Sequence, residues 1–600
     1  MFDDYVLGID LGTSNSSAAI MEDSDVIIIP NDLGNLITPS YVTFLDEDKI
    51  LVGELSKLNI LSGKNTIFDS KRLIGKYFSD KSLTNIKKKI EEKLLPFEIK
   101  EEKNTQKIKI GIEIKENEKR YFYPELISSF IIKKLKEDAE YYLSKKEKRK
   151  IEIKKTVISI PANYNQIQRK ATKQAAEIAN LEVIGMINEP TAASLAYGLI
   201  KLNKEDDKKK IIILDLGGGT LDFTLFNLIK NSNGVYCDVE GSIGDPHFGG
   251  EDFDLALMKE IIKDKNNIDQ NEYLRIKLSC EKAKIELSDH ESAKIILEEF
   301  DINKNITKND FVKICDHLFQ EFKNKLRTFI DTFKIKKQLI SDIILIGGAT
   351  KMPKIIEILK EEFPTQNLRN DIDPNLSVAK GAAIRASMIE KPEEYCYINL
   401  LDVTNLSLGT NVLDQKTQLS KMDIIIKRST ELPAYKEKEY KTCSDNQTTI
   451  LNKIYEGESE DLSENLFLGS FEICNLPAKP KGEVKIKMSF NIDKDSLLEV
   501  KATELSNLNN TAKIIIKEKE GIKENELIDI KNKVNQAKIM NIPGYNDIKD
   551  DVLRLQEKIN FGNGELKDFY LDLINDLDNI DPLKKILNLK KYIKKFISHI

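Results

Sequence analysis

Ile211–Leu225 reads I-I-I-L-D-L-G-G-G-T-L-D-F-T-L, and a second version of the pattern opens the chain, where Tyr5–Ile20 reads Y-V-L-G-I-D-L-G-T-S-N-S-S-A-A-I. Each copy is an apolar, β-rich run, an aspartate, a Gly/Thr-rich turn and a second apolar run, a pattern that predicts a hairpin. Glycine lets the turn backbone approach an anion closely, and successive N–H groups in such a turn make a phosphate-sized nest. Asp10 and Asp215 close the two first strands, where they are placed to hold a metal through oxygen or through water. Two such turns in one chain predict a duplicated domain that grips one polyphosphate from both sides.

Composition bounds the rest. Six hundred residues leave room for several domains. Hydrophobic residues make up 40% and charged residues 32%, with no tryptophan, an ordinary soluble composition. The 92 basic and 98 acidic residues are well mixed and leave a net charge of −6, so nothing suggests the basic face that nucleic acid requires. The six cysteines, Cys237, Cys280, Cys315, Cys396, Cys443 and Cys474, include no C-x-x-C pair and predict neither zinc nor disulfides, which fits a reducing compartment. The four histidines are too scattered for a metal cluster. The N-terminus enters a strand within a few residues, without a signal or transit pattern. No apolar run reaches the roughly 18 residues of a membrane span. The expectation is a cytoplasmic protein with neither membrane nor nucleic-acid partners.

The chain divides by texture. Residues 1–393 alternate strands such as Thr156–Pro161 and Asp342–Gly347 with helices such as Gln166–Asn180, an α/β pattern. Residues 394–403 contain a short apolar run ended by Asp402, readable as a buried strand or a docking interdomain linker. Residues 404–516 show period-2 alternation, with Val484, Ile486, Met488 and Phe490 on one face, and predict a compact all-β domain. From 517 to 600 the period is helical. Leu527, Ile530, Val534 and Ala537 recur at helical spacing, Asp581-Pro582 is an N-cap with a first-turn proline, and Leu583, Ile586, Leu587, Ile593, Phe596 and Ile597 form a later apolar stripe.

Seven motifs occur in order: G-I-D-L-G-T-S-N-S, K-R-L-I-G, I-N-E-P-T-A-A-S-L-A-Y-G-L, D-L-G-G-G-T-L-D, F-G-G-E-D-F-D, I-G-G-A-T-K-M-P and L-L-D-V-T-N-L-S-L-G. With them the chain resembles the seventy-kilodalton heat-shock chaperones of the DnaK type, from Tyr5 to about Ile516. The resemblance implies an actin-like, duplicated ATPase domain, a hydrophobic linker, a β-sandwich that binds extended peptides and a helical lid. It implies ATP or ADP with Mg²⁺, and K⁺ as a candidate second cation. It assigns Asp10 and Asp215 to the metal and its waters. Lys71 matches the lysine reaching the γ-phosphate and the attacking water, Glu189 the carboxylate beside them, and Thr220 and Asp222 further phosphate- and water-positioning groups. Gly12, Thr13, Ser14, Gly217, Gly218 and Gly219 match the phosphate loops. Gly249, Gly250, Gly347 and Gly348 match nucleotide-facing glycines. Glu281, Lys284 and Ser288, at i, i+3 and i+7, match the ribose and adenine edge from one helix face, and Lys351 stands over the base.

In the β domain the matching positions are Leu413 and Cys443 at an arch, Ile450 in a central pocket expected to prefer a Leu- or Ile-like side chain, and Tyr440 beside it. Pro161, Arg169 and Lys173, with Leu400, Leu401 and Asp402, match the surface that couples the domains. The implied partners are unfolded client peptides, a J-domain co-chaperone and a nucleotide exchange factor. Several positions depart from the family pattern. Lys351 and Ile285 replace arginines near the base, Asn375 an acidic residue, Asn405 a proline after the linker and Asn452 an apolar residue near the peptide channel. Gly185 replaces the arginine that contacts the J-domain and the linker aspartate. An alternative reading is a degenerate nucleotide-binding relative that serves as a scaffold or exchange-factor partner with little hydrolysis. The β domain and linker argue against a sugar kinase or filament ATPase on the same fold.

Overall fold

The computed structural model describes residues 5–540 apart from 23–24, 47, 61–64, 81–82, 104, 116–117, 202–206, 233, 266–267, 370–372, 415–418, 494–496, 516–521 and 523. The stripe from Leu583 to Ile597 and the Asp581-Pro582 cap lie outside the described residues.

Both sequence repeats are hairpins. In the first, β1 (Val6–Asp10) and β2 (Asn15–Glu22) pair antiparallel, and β2 pairs with β3 (Asp25–Ile28). On the other side, β1 runs parallel to β4 (Lys155–Ile160), which runs parallel to β5 (Glu182–Asn188). The second repeat copies this plan: β6 (Asp207–Leu216), β7 (Leu221–Asn231) and β8 (Gly234–Asp245) are antiparallel, and β6 runs parallel to β9 (Ile340–Ile346), itself parallel to β10 (Asn367–Arg369). The strand orders β5-β4-β1-β2-β3 and β10-β9-β6-β7-β8 are therefore equivalent. The parallel strands are buried runs of Ile, Val and Leu, as expected where helices cover both faces.

One helix, Ser377–Glu390, packs against both the first sheet and the helix Glu189–Lys201. Two glycines permit the contact. A Cβ on Gly8 would lie 2.2 Å from the Ala383 nitrogen, and one on Gly381 would lie 1.8 Å from the Ala192 carbonyl.

The second sheet gains one more strand. Residues 398–401 form β11 (Ile398–Leu401), which pairs parallel with β8 through Val235–Ile398 to Asp238–Leu401. The apolar run is thus a docked edge strand. Ile398 is buried and Leu400 packs on the core, whereas Leu401 points outward and is 37% exposed. The expectation that Leu400 and Leu401 dock together is corrected by strand alternation.

Beyond it, two four-stranded sheets enclose one apolar core. The first contains β12 (Leu408–Leu413), β13 (Ser420–Ile426), β15 (Ile450–Glu456) and β16 (Leu466–Ile473); the second contains β14 (Ala434–Lys441), β17 (Lys485–Ile492), β18 (Leu498–Glu504) and β19 (Thr511–Ile515). Val484, Ile486, Met488 and Phe490 all face inward, as their alternation predicts.

The helix Glu524–Gln536 turns its stripe onto the α/β domain, not onto the β domain. Val534 and Ala537 are buried there with Leu527 and Ile530 beside them. Lys133 Nζ donates to the carbonyls of Val534 and Ala537 at 2.7 Å each, which satisfies carbonyls left open at the helix end. Lys538–Ile539 then adds a parallel strand to Lys49–Ile50. For this helix the word lid describes a place on the first lobe. All six cysteines are unpaired. No helix among the described residues is long and apolar enough to cross a membrane.

Candidate nucleotide cleft and its link to the β domain

The two hairpin turns meet. A Cβ on Gly218 would lie 2.1 Å from Ser14 Oγ, so only glycine lets the loops approach this closely. The first loop is held by the Gly12 amide donating to Ser16 Oγ at 3.1 Å and by Ser40 Oγ donating to the Gly12 carbonyl at 2.8 Å. In the second, Gly217 N–H donates to the Thr220 carbonyl at 3.0 Å, while Gly250 and Glu251 donate to the carbonyls of Gly217 and Gly218 at 2.9 and 2.8 Å. Gly347 has φ +76°, a conformation open to glycine, and its absent Cβ would strike the Leu216 carbonyl at 2.3 Å.

Between the loops lies a cleft of about 400 Å³. Its walls include Asp10, Gly12, Thr13, Ser14, Lys71, Glu189, Asp215, Gly217, Gly218, Thr220, Gly250, Glu281, Lys284, Ser288, Gly347, Gly348 and Lys351, so most positions singled out from sequence converge on one cavity. Gly219, Gly249 and Asp222 stand behind the wall. Gly219 packs on the Arg72 guanidinium, Gly249 on the Gly218–Gly219 backbone, and Asp222 sits opposite Asp215 across the hairpin.

At the floor, Lys71 Nζ donates to Glu189 Oε1 at 2.7 Å, with both side chains buried. Tyr164 Oη donates to the Lys71 carbonyl at 3.2 Å. Asp10 accepts from Ser159 Oγ at 3.0 Å. Burial and the neighbouring Glu189 push the Asp10 carboxyl up to about 7, although Lys71 and Ser159 oppose the shift. Burial, Glu189 and Asp10 push Asp215 well above the carboxylate range, and burial and Asp215 do the same to Asp222, whose Oδ1 is buried with no partner among the described residues. One lysine faces four acids, a charge excess that suits a cation. The donors are hard oxygens, and no three acidic or imidazole groups among the described residues converge to chelate directly. That combination fits Mg²⁺, which keeps several waters and binds through one or two carboxylates and substrate phosphates.

Glu281 pairs with Lys57 at 2.9 Å across the cleft, and Lys284 Nζ donates to the Gly250 carbonyl and Asp254 at 2.8 Å. Lys351 sits 3.5 Å from Asp373, and Ile285 is exposed on the wall. Residues not anticipated are Arg72, paired with Glu251 at 2.9 Å, together with Asp254 and Ser159. Arg72, Glu251 and Asp254 lie inside the quoted motifs K-R-L-I-G and F-G-G-E-D-F-D, so the signal was present.

The profile of the Hsp70 protein family matches residues 6–545. The chain belongs to the Hsp70 family. It is also similar to heat shock cognate 70 kDa protein 3 of Dictyostelium discoideum, at 33% identity over 96% of this chain and 95% of that protein. Hsp70 members are chaperones that bind ATP and hydrolyse it, and this frame fits the cleft.

The residues expected from the resemblance to couple the domains lie mostly around the start of one helix. The helix Gln166–Ile178 starts in a capping box, with Asn165 accepting from Gln168 N–H at 2.9 Å and Gln168 accepting from Asn165 N–H at 3.3 Å. From it Arg169 donates to the Tyr164 carbonyl and to Asn188 Oδ1, each at 3.0 Å. Asn188 Nδ2 donates to Asp402 Oδ2 at 2.8 Å, and Thr191 Oγ1 donates to the same oxygen at 3.2 Å. Asp402 is thus satisfied without an arginine at Gly185, which lies buried in β5 opposite Val157. Pro161 begins the intervening turn, its carbonyl accepting from Tyr164 N–H. Lys173 stands apart from this network, in a cavity that it lines with Lys531. Asn405 Nδ2 donates to the Ala162 carbonyl, a bond that proline at this position lacks. Across the same junction Ile167 enters the β-domain core, and Gln166 N–H donates to the buried Glu456 Oε2 at 3.1 Å.

In the β domain, Leu413 and Cys443 are exposed, the Cys443 thiol donates to Gln447 Oε1 at 3.4 Å, Ile450 is half-buried against the core, and Tyr440 Oη donates to Asp423 at 2.7 Å.

Proposed function

We propose that this chain is an ATP-driven chaperone whose β domain binds extended segments of unfolded proteins and whose affinity for them is set by nucleotide. One observation carries the reading: the linker carboxylate of Asp402 is hydrogen-bonded to Asn188, the neighbour in sequence of Glu189, which holds Lys71. Release of the linker therefore moves a partner of the residue adjoining the catalytic pair.

In this reading the loop amides of Gly12–Ser14 and Gly217–Thr220 cradle the phosphates, and Asp10 and Asp215 hold the waters of Mg²⁺. Bound there, Mg²⁺ would supply charge neutralisation for phosphoryl transfer. Lys71 stabilises the γ-phosphate and, with Glu189, Thr220 and Asp222, orients the attacking water. The Lys57–Glu281 pair keeps the cleft closed over the nucleoside. Partners of the family's kinds follow: client peptides, a J-domain protein and an exchange factor. A non-hydrolysing scaffold would have no use for the buried Lys71–Glu189 pair. Single-turnover hydrolysis of ATP, with and without an unfolded peptide, tests the proposal. Slow Mg²⁺-dependent turnover stimulated by peptide is the expected result; nucleotide binding without turnover would establish the scaffold instead.

A further inference from the structure

The inner face of the β domain is a continuous apolar core that includes Leu408, Ile454, Phe471, Ile486, Met488 and Phe490. Two buried polar side chains lie on that face, Asn452 two residues from Ile450 and Thr410 opposite Ile454. Thr410 and Asn452 are 2% and 5% exposed. Thr410 stands opposite Ile454 in the β12–β15 pairing, and directly opposed residues share a side of the sheet. Asn452 and Ile450 lie two and four residues before Ile454, so the period of two puts them on that side as well. Asn452 therefore sits between the core and Ile450.

The polar neighbours differ in how well they are satisfied. Thr410 Oγ1 donates to the Lys453 carbonyl at 3.0 Å. The Tyr440 hydroxyl is committed to Asp423 at 2.7 Å. Asn452 makes one long hydrogen bond among the described residues, from Nδ2 to the Ile450 carbonyl at 3.5 Å. An asparagine amide has two N–H donors and a carbonyl with two lone pairs, so most of its bonding capacity is unused. An amide at 5% exposure has little water to turn to. An aliphatic side chain lodged on top of it would remove that water and return nothing. A side chain with its own donor or acceptor would complete the amide. Sites with a buried polar group discriminate strongly against ligands that leave it unpaired.

Resting on the reading of this domain as the client site, we propose that Asn452 is a specificity-determining residue. A client side chain seated against Ile450 and Asn452 is then one bearing an amide or hydroxyl, of the Asn, Gln, Ser or Thr class, in preference to a purely aliphatic one. This reverses the Leu- or Ile-like preference expected from the family resemblance.

The test uses the full chain with ADP and extended fluorescent heptapeptides identical except for a central Leu, Val, Asn, Gln, Ser or Thr, with ATP-triggered release reporting the specific site. The Asn and Gln peptides should bind roughly tenfold tighter than the Leu peptide, the worth of about one hydrogen bond to an otherwise unpaired amide. Asn452→Ile should invert the ranking, and Asn452→Ala, which adds no volume, should flatten it. A wild-type protein that prefers the Leu peptide and releases it with ATP would overturn the specificity while leaving the chaperone reading intact. An unaltered ranking in Asn452→Ala would overturn it as well. Binding of none of the peptides would remove both.

Discussion

At the scale of single residues, the decisive pair is Lys71–Glu189. A 2.7 Å bond between buried side chains fixes the ammonium at the floor of the cleft, beside the carboxyls of Asp10 and Asp215. Burial alone would push the lysine toward its neutral form, but Glu189, Tyr164 and Asp10 raise its pKa well above the ordinary lysine value, so it stays charged. A fixed cation aimed at developing negative charge acts on the transition state more than on ground-state binding. Lys71→Ala should therefore reduce single-turnover hydrolysis roughly a hundredfold or more. ADP affinity, measured by calorimetry, should stay within a few-fold, because the Gly12–Ser14 and Gly217–Thr220 loops are held by their own hydrogen bonds. Wild-type turnover in this variant would remove Lys71 from the mechanism.

At the scale of elements, the linker strand shows what a period of two does to a coupling device. Ile398 and Leu400 face the core of the second sheet, while Leu401 faces outward. Leu400→Asp places a charge against that core and forfeits the burial of a leucine, worth about 1.5–3 kcal/mol when complete. Peptide-stimulated hydrolysis and ATP-driven peptide release should then be lost while basal hydrolysis persists. Leu401→Asp should change docking by no more than about 0.5 kcal/mol, as at other exposed positions. Equal loss of coupling in both single variants would show that the strand does not dock by this face. Elements of this kind were legible where one period governed many residues. Both hairpins, the β-domain alternation at Val484–Phe490 and the stripe Leu527–Ala537 were readable because burial imposes the pattern locally. The face on which Leu401 falls was not, since four residues fit a docked coil as well as a strand. Nor was the surface that receives Leu527–Ala537, because an apolar stripe specifies burial and not a partner. The Lys57–Glu281 and Lys284–Asp254 pairs escaped for a similar reason: they join residues far apart in sequence, and sequence motifs carry no distances.

At the scale of the whole molecule, the contacts that hold the β domain and its following helix on the α/β domain include the edge strand β11, the insertion of Ile167 into the β-domain core, and the seat of Glu524–Gln536 on the first lobe. The second contact buries a carboxyl. Glu456 accepts a hydrogen bond from Gln166 N–H, and the cation whose charge acts on it is Arg169, which donates to Asn188 and also feels the charge of Asp402. Burial outweighs both and lifts the Glu456 carboxyl from 4.5 to about 7. Undocked, the group would return toward its ordinary value, so docking takes up a proton. For a raised pKa the stabilisation is complete below the undocked value and lost as pH rises through the docked one. Docking should thus weaken between about pH 4.5 and 7 and level off above it, by up to about 1.4 kcal/mol per unit. Glu456→Gln keeps the acceptor, removes the titration and should make docking independent of this group. Donor–acceptor fluorescence across the two domains in ATP, compared at pH 6 and pH 8, reads the docked fraction directly. The wild type should dock more at pH 6 and the variant should lose most of that difference. The same pH difference in both proteins would place the titrating group elsewhere in the interface and leave Glu456 charged within it.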